Sequence, residues 1–187
     1  MFDDLYLLSC DIVLVSQKRS WLSRLIRRFS TSPSDKTKTK YSHTAMVYRP
    51  HQQEIIEALS GGVKITNLKK YAKGYSVLIA RRLDMTDADQ FLITNKAYSF
   101  IGKKYGFIKL AGHLGDYYLS WFCGKDVYFF RKLTQNGDYV ICSWVVAFAY
   151  AARKMLFNGM NPAYCQPDDI ADEIEKNPDK YRVIYKS

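Results

Sequence analysis

Hydrolysis through a thiol needs a cysteine whose thiolate is favoured, a histidine within hydrogen-bonding reach, and a third group that fixes the histidine tautomer. The chain holds four cysteines (Cys10, Cys123, Cys142, Cys165) and three histidines (His43, His51, His113), so few combinations exist. Cys142 opens the run C-S-W-V-V-A-F-A-Y-A-A, which reads as a helix buried on almost every side. At a helix start, unpaired N–H groups and aligned peptide dipoles favour negative charge by about 0.3–1 kcal/mol. The same N–H groups suit the oxyanion of an acyl-transfer intermediate. The other three cysteines have no such placement. Their spacing shows no paired C-x-x-C and no histidine ladder, so neither a metal nor an organic cofactor is expected.

Among the histidines, His51 lies beside Pro50 in a turn, and His113 lies between Gly112 and Leu114 without an acidic partner in register. His43 differs, because it belongs to the strand Y-S-H-T-A-M-V-Y (41–48), which faces Q-E-I-I-E-A-L (53–59). A three-residue loop at Arg49–His51 pairs Tyr48 with Gln52 and sets His43 directly opposite Glu57 on the same sheet face. Directly opposed β-carbons lie about 4.5–5.5 Å apart, close enough for a carboxylate to hold an imidazole. A loop one residue longer or shorter would put the two on opposite faces. On these facts alone the pair serves equally well as a cross-strand contact with no chemistry.

The elements that must position these groups follow from periodicity. D-I-V-L-V-S (11–16) is a short buried strand. The stretch from Lys18 to Ser30 is an amphipathic helix, with Trp21, Leu22, Leu25, Ile26 and Phe29 on one face and four arginines on the other. A polar, aperiodic loop follows to Lys40. After the hairpin come a short strand at 63–66, a helical turn at 68–72 and a strand at 75–82. Thr86 caps a helix expected over 87–103. Helices are expected around 110–121 and 127–133, then the Cys142 helix to Phe157, stopped by Asn158-Gly159. A helix opened by Gln166-Pro167 and a closing strand at 181–186 complete the chain. An antiparallel sheet with helices in the second half makes an α+β protein.

In order along the chain, D-I-V-L-V (11–15), W-L-S-R-L-I-R (21–27), Y-S-H-T-A-M-V-Y (41–48), I-I-E-A-L-S-G-G-V (55–63), I-G-K-K-Y-G (101–106), I-C-S-W-V-V-A (141–147) and Q-P-D-D-I-A (166–171) together resemble the permuted NlpC-type papain-like hydrolases of the YiiX and YaeF kind. The resemblance implies a circularly permuted papain-like fold, in which the sheet packs on a buried helix carrying the cysteine at its N-terminus and the histidine precedes the cysteine in sequence. It also implies His43, Glu57 and Cys142 as the catalytic set, with a thioester intermediate. The oxyanion would be held by the Cys142 N–H and a second donor, Tyr41 or Tyr139. An amide or peptide substrate is expected, because Glu57 takes the third position where the lecithin retinol acyltransferase-like branch commonly uses a second histidine. Two features depart from the family: Cys10 stands where many relatives have glycine, and 18–40 is unusually basic.

Composition bounds the rest. With 187 residues, 48% apolar and 25% charged, the chain suits one domain over 1–187 with one packed core. The acidic start M-F-D-D and the lack of a long apolar run point to neither export signal nor membrane span, hence to the cytoplasm. The net charge of +10 is scattered, and no zinc finger, RNA-recognition signature or phosphate loop accompanies it, so nucleic acid is not the expected partner. Two other readings compete with the hydrolase: docking of the basic helix, residues 19–29, on an anionic membrane where lipid acyl groups are the substrate, and a catalytically silent binding domain with the same fold.

Overall fold

Two runs of consecutive apolar residues, Ile12–Val15 and Val77–Ala80, are buried on both sides, which is what the centre of a sheet covered on both faces requires. The structure, a computed structural model, describes residues 2–17, 41–106, 115, 119–124 and 139–187. Strands β1 (Ile12–Gln17), β2 (His43–Arg49), β3 (Glu54–Leu59), β4 (Gly62–Asn67), β5 (Tyr75–Arg82) and β8 (Tyr181–Lys186) form one antiparallel sheet in the order β4-β3-β2-β1-β5-β8. Two short strands, β6 (Lys104–Tyr105) and β7 (Tyr139–Val140), pair in parallel apart from it.

Among the described residues, helices α1 (Asp87–Tyr98), α2 (Cys142–Ala151) and α3 (Pro167–Lys176) accompany the sheet. They share one core with Ile12, Leu14, Met46, Ile56 and Leu78 on one face of the sheet. The alternate residues Val13, Val15, Ala45, Val47 and Ile55 point to the other face, where they meet Phe2, Leu68 and Tyr71. Each fully buried aliphatic side chain contributes about 1.5–3 kcal/mol, so both faces hold the strands in register. Among the described residues no helix is long and apolar enough to cross a membrane.

Most elements lie within two residues of their expected bounds, and two helices are shorter. The helix capped by Thr86 ends at Tyr98 rather than at 103. Beyond it Gly102 turns left-handed (φ 84), and its N–H donates to Val63 O while Val63 N–H donates to Lys103 O, so pairing with β4 wins over helix propagation. The Cys142 helix ends at Ala151 rather than at Phe157, because Lys154 adopts φ 58 and Met155 N–H folds back to Tyr150 O, as in a left-handed helix stop. Asn158-Gly159, expected as that stop, instead closes a separate short turn, Phe157–Gly159. Residues 119–123 are helical, overlapping the end of the helix expected around 110–121 and running two residues past it. The basic helix and loop at 18–40 and the helix at 127–133 lie outside the described residues.

Gly62 is what lets β4 approach the segment leading into β6. It adopts φ 102, and a β-carbon there would sit 2.6 Å from the Lys103 carbonyl oxygen. Gly62→Ala should therefore lower stability by about 2 kcal/mol, measured by urea denaturation. Gly61→Ala, where the nearest atom is the Lys64 ammonium at 4.0 Å, should leave the midpoint close to wild type.

Candidate active site

The hairpin that carries His43 and Glu57 is not built as the three-residue loop would make it. Pro50–Gln52 form a 3-10 turn, Gln53 follows in the left-handed region, and Arg49 pairs with Glu54. A connection one residue longer than expected would reverse the facing of β2, but Tyr48 is bulged out of the ladder and restores it. The register becomes Ala45↔Glu57. His43 is thus the diagonal neighbour of Glu57 on the same face rather than its direct partner, a separation that long side chains span. His43 Nε2 lies 2.7 Å from Glu57 Oε2.

Glu57 is fully buried, and its two oxygens meet four donors. Oε2 takes His43 and the Tyr71 hydroxyl, at 2.5 Å, and Oε1 takes the Thr66 hydroxyl and the Lys70 ammonium. Those four fill the acceptor capacity of a carboxylate. Thr66 comes from β4, and Lys70 and Tyr71 from the 3-10 turn Leu68–Tyr71, which is pinned by the buried Leu68 and Tyr71 and capped by Asn67. Burial alone would raise the pKa of Glu57, but the bond and charge of His43, with Lys70 and Thr66, bring it down from 4.5 to about 2.

The thiol arrives from the other side of the sheet. Cys142 belongs to the core beneath α2, whereas Glu57 and His43 share the facing of Ala45, Ile55 and Tyr71. They meet because pairing of β2 with β3 ends at Ala45↔Glu57, so the Thr44 N–H, one residue beyond, is left for the Cys142 sulfur. Ile141, the residue before α2, offers no capping side chain, which leaves the Ser143 N–H for the sulfur as well. Burial opposes the thiolate, yet the hydrogen bond and charge of His43 and these two N–H groups hold the thiol below its ordinary value. Burial likewise opposes the imidazolium, but Cys142 and then Glu57 carry His43 up to about 9. Both shifts run in the direction of a thiolate–imidazolium pair, with the ring held from behind by a carboxylate.

A family model described as permuted papain-like amidase enzyme, YaeF/YiiX, C92 family, matches residues 9–129. The chain belongs to this family. It is therefore a permuted papain-like enzyme of the thiol hydrolase kind, and the α+β architecture above is that fold. The match includes His43 and Glu57 and ends before Cys142, so it is the structure that joins the cysteine helix to them. No curated protein and no solved structure matches the chain.

Of the other residues singled out by sequence, Tyr41 is buried two residues before His43, and burial followed by the nearby Glu175 charge pushes its hydroxyl up to about 12. Tyr139 lies on β7, more exposed, its backbone paired with Lys104. His51 is exposed in the hairpin turn, and His113 lies outside the described residues. Sequence reasoning missed Thr66, Lys70, Tyr71 and Tyr105. The hydroxyl of Tyr105 is within electrostatic reach of the Cys142 sulfur, and I-G-K-K-Y-G, one of the resembling segments, contained the signal for it. Thr66 was within reach of pattern reading too, since β4 pairs with β3 and alternates in facing.

The Glu57 network links the site to pH. Its carboxyl is more acidic folded than unfolded, so the stability it contributes is complete above about 4.5 and is lost as pH falls toward about 2. His43 has the opposite sign: its contribution is complete below about 6.5 and is lost as pH rises through about 9. Denaturation midpoints measured across this range should show an acid arm that flattens in Glu57→Gln and an alkaline arm that flattens in His43→Gln. Arms unchanged in both variants would contradict these assignments.

Proposed function

We propose that the chain hydrolyses an amide bond through a thioester on Cys142, with His43 as proton carrier and Glu57 as the group that orients it. The observation that carries this reading is the continuous hydrogen-bonded chain from the Cys142 sulfur through the imidazole to a buried carboxylate. The thiolate attacks the carbonyl carbon and forms the C–S bond. As the tetrahedral intermediate collapses, the C–N bond breaks and the imidazolium proton goes to the leaving nitrogen. Water then gives a proton to His43 while its oxygen bonds to the acyl carbon, and the thiolate leaves. The acid departs and the ion pair is restored.

The oxyanion is held, in this reading, by the Cys142 N–H at the helix start and by a tyrosine hydroxyl. Tyr41 and Tyr139 are the candidates from sequence, and Tyr105 joins them because it senses the charge on the sulfur. We favour Tyr105, since the Tyr41 hydroxyl lies near the carboxylate of Glu175. An amide or peptide is the preferred substrate, as the family name and the carboxylate at Glu57 both suggest.

Alkylation by iodoacetamide near neutral pH separates reactivity from exposure, because Cys123 is the exposed cysteine and Cys142 is buried among the described residues. Located by mass spectrometry, Cys142 should be labelled before Cys123 in wild type and after it in His43→Ala. Cys142→Ala should lower hydrolysis of a panel of N-acyl peptide amides by about 10³-fold or more. A Cys142→Ala protein with full hydrolytic activity would sink the mechanism.

A further inference from the structure

In the proposed thioester cycle, the reading on which any role for Lys70 rests, His43 changes charge and Glu57 does not. At rest the Cys142 thiolate, the His43 imidazolium, the Glu57 carboxylate and the Lys70 ammonium sum to zero. After acylation the thiolate has become a thioester, the imidazolium proton has left on the amine, and the ring is neutral. The carboxylate of Glu57, fully buried, then has Lys70 as the one cation in contact with it among the described residues. Without that cation the acylated state would hold a buried carboxylate against a neutral ring, which is costly. Proton donation to the leaving group would create that state, and so would be opposed.

We infer that Lys70 is a positioning residue of this site: its ammonium keeps Glu57 ionised through both charge states of His43, and so sets how readily the imidazolium gives its proton to the leaving nitrogen. The geometry is suited to this. Lys70 binds Oε1, the oxygen that His43 does not use, beside the Thr66 hydroxyl. Its ammonium also lies 4.8 Å from the centroid of the Tyr71 ring, and Tyr71 itself donates to Oε2. The side chain is one-third exposed, so the cation remains hydrated on one side while it neutralises a buried anion on the other.

The remaining ionisable groups around the pair do not take its place. Lys64 stands opposite Glu57 on β4, but it is exposed to water and the carboxylate oxygens are already filled. Tyr71, Tyr105 and Cys165 are pushed up by burial and stay neutral. Tyr75 packs edge-on against the Tyr71 ring, 5.0 Å between centroids.

The test needs no substrate. Iodoacetamide alkylation of Cys142 is followed against pH by mass spectrometry, in the full chain, for wild type, Lys70→Met, Lys70→Arg and His43→Ala. The wild-type profile should have a low limb, where the ion pair forms, and a high limb, where the imidazolium is lost. Removing the cation makes the local field more negative, so Lys70→Met should move both limbs up by about one pH unit, and Lys70→Arg should keep them in place. Lys70→Gln, neutral but able to hydrogen-bond Glu57, should shift in the same direction and serves if the methionine variant does not fold. Neutral variants with wild-type limbs, where His43→Ala still collapses the profile to one high limb, would overturn the role of Lys70 and spare the ion pair. A His43→Ala profile identical to wild type would overturn both.

Discussion

A charged carboxylate in the middle of a sheet is the constraint around which this structure is organised. An isolated buried carboxylate would take up a proton or cost several kcal/mol. Glu57 avoids both outcomes because each of its lone-pair directions is met by a donor, and those donors come from three places: β2, β4 and the 3-10 turn that follows β4. The network therefore does two things at once. It ties the edge half of the sheet together, and it leaves the imidazole of His43 one orientation in which its second nitrogen faces away from Glu57. Positioning of the imidazole is thus a by-product of satisfying the carboxylate behind it.

The second constraint is that Cys142 and His43, the proposed nucleophile and base, come from opposite sides of the same sheet. A histidine facing one way and a helix packed on the other face would ordinarily be separated by the strand itself. Here the β2–β3 ladder ends at Ala45↔Glu57, and the helix start reaches the opening. The parting of the strands also frees the Thr44 N–H for the sulfur. In front of α2, the parallel contact of β6 with β7 ends at Val140, two residues before the thiol. On its other side this contact leans on β4 through Gly62 and Val63. The thiol and the carboxylate network are consequently fixed to the same edge strand by different routes, which gives a defined distance between groups that are far apart in sequence.

Much of this was legible in the residues. Alternation and apolar runs located six strands, because burial on one or both faces imprints itself on composition. The start of α2 at Cys142 was legible from the abrupt onset of small and apolar residues. Register was harder. The parity that puts His43 and Glu57 on one face came out as expected, but through two offsetting irregularities, a longer turn and the Tyr48 bulge, neither of which has a sequence signature as strong as Asn-Gly. Lys70 was hidden for a different reason. Among 28 basic residues a single lysine carries no signal, and only the placement of the turn over β3 singles it out. Helix ends at Tyr98 and Ala151 were set by tertiary hydrogen bonds and by a left-handed lysine, which local propensity does not encode.

Why one of the four cysteines is the proposed nucleophile is answered by what surrounds each sulfur rather than by burial. Cys10, Cys142 and Cys165 are all buried, and burial raises the thiol in every case. At Cys10 the result stands at about 12, because its main relief is a neutral hydroxyl, Thr94, and the neighbouring Asp11 opposes ionisation further. Cys165 lies near another carboxylate, Asp169, and also rises. Cys142 alone among the three has a cationic ring and two aligned backbone N–H groups against the sulfur. The Cys10 backbone is itself unusual: φ of 72 is where glycine is at ease. The side chain is kept by bonds to Gln90 and Thr94, and the backbone by a 2.7 Å bond from Tyr150 to its carbonyl. Its thiol answers a packing and backbone requirement, whereas the Cys142 sulfur is the one placed at the seam where the two strands part, with the surroundings that favour a thiolate.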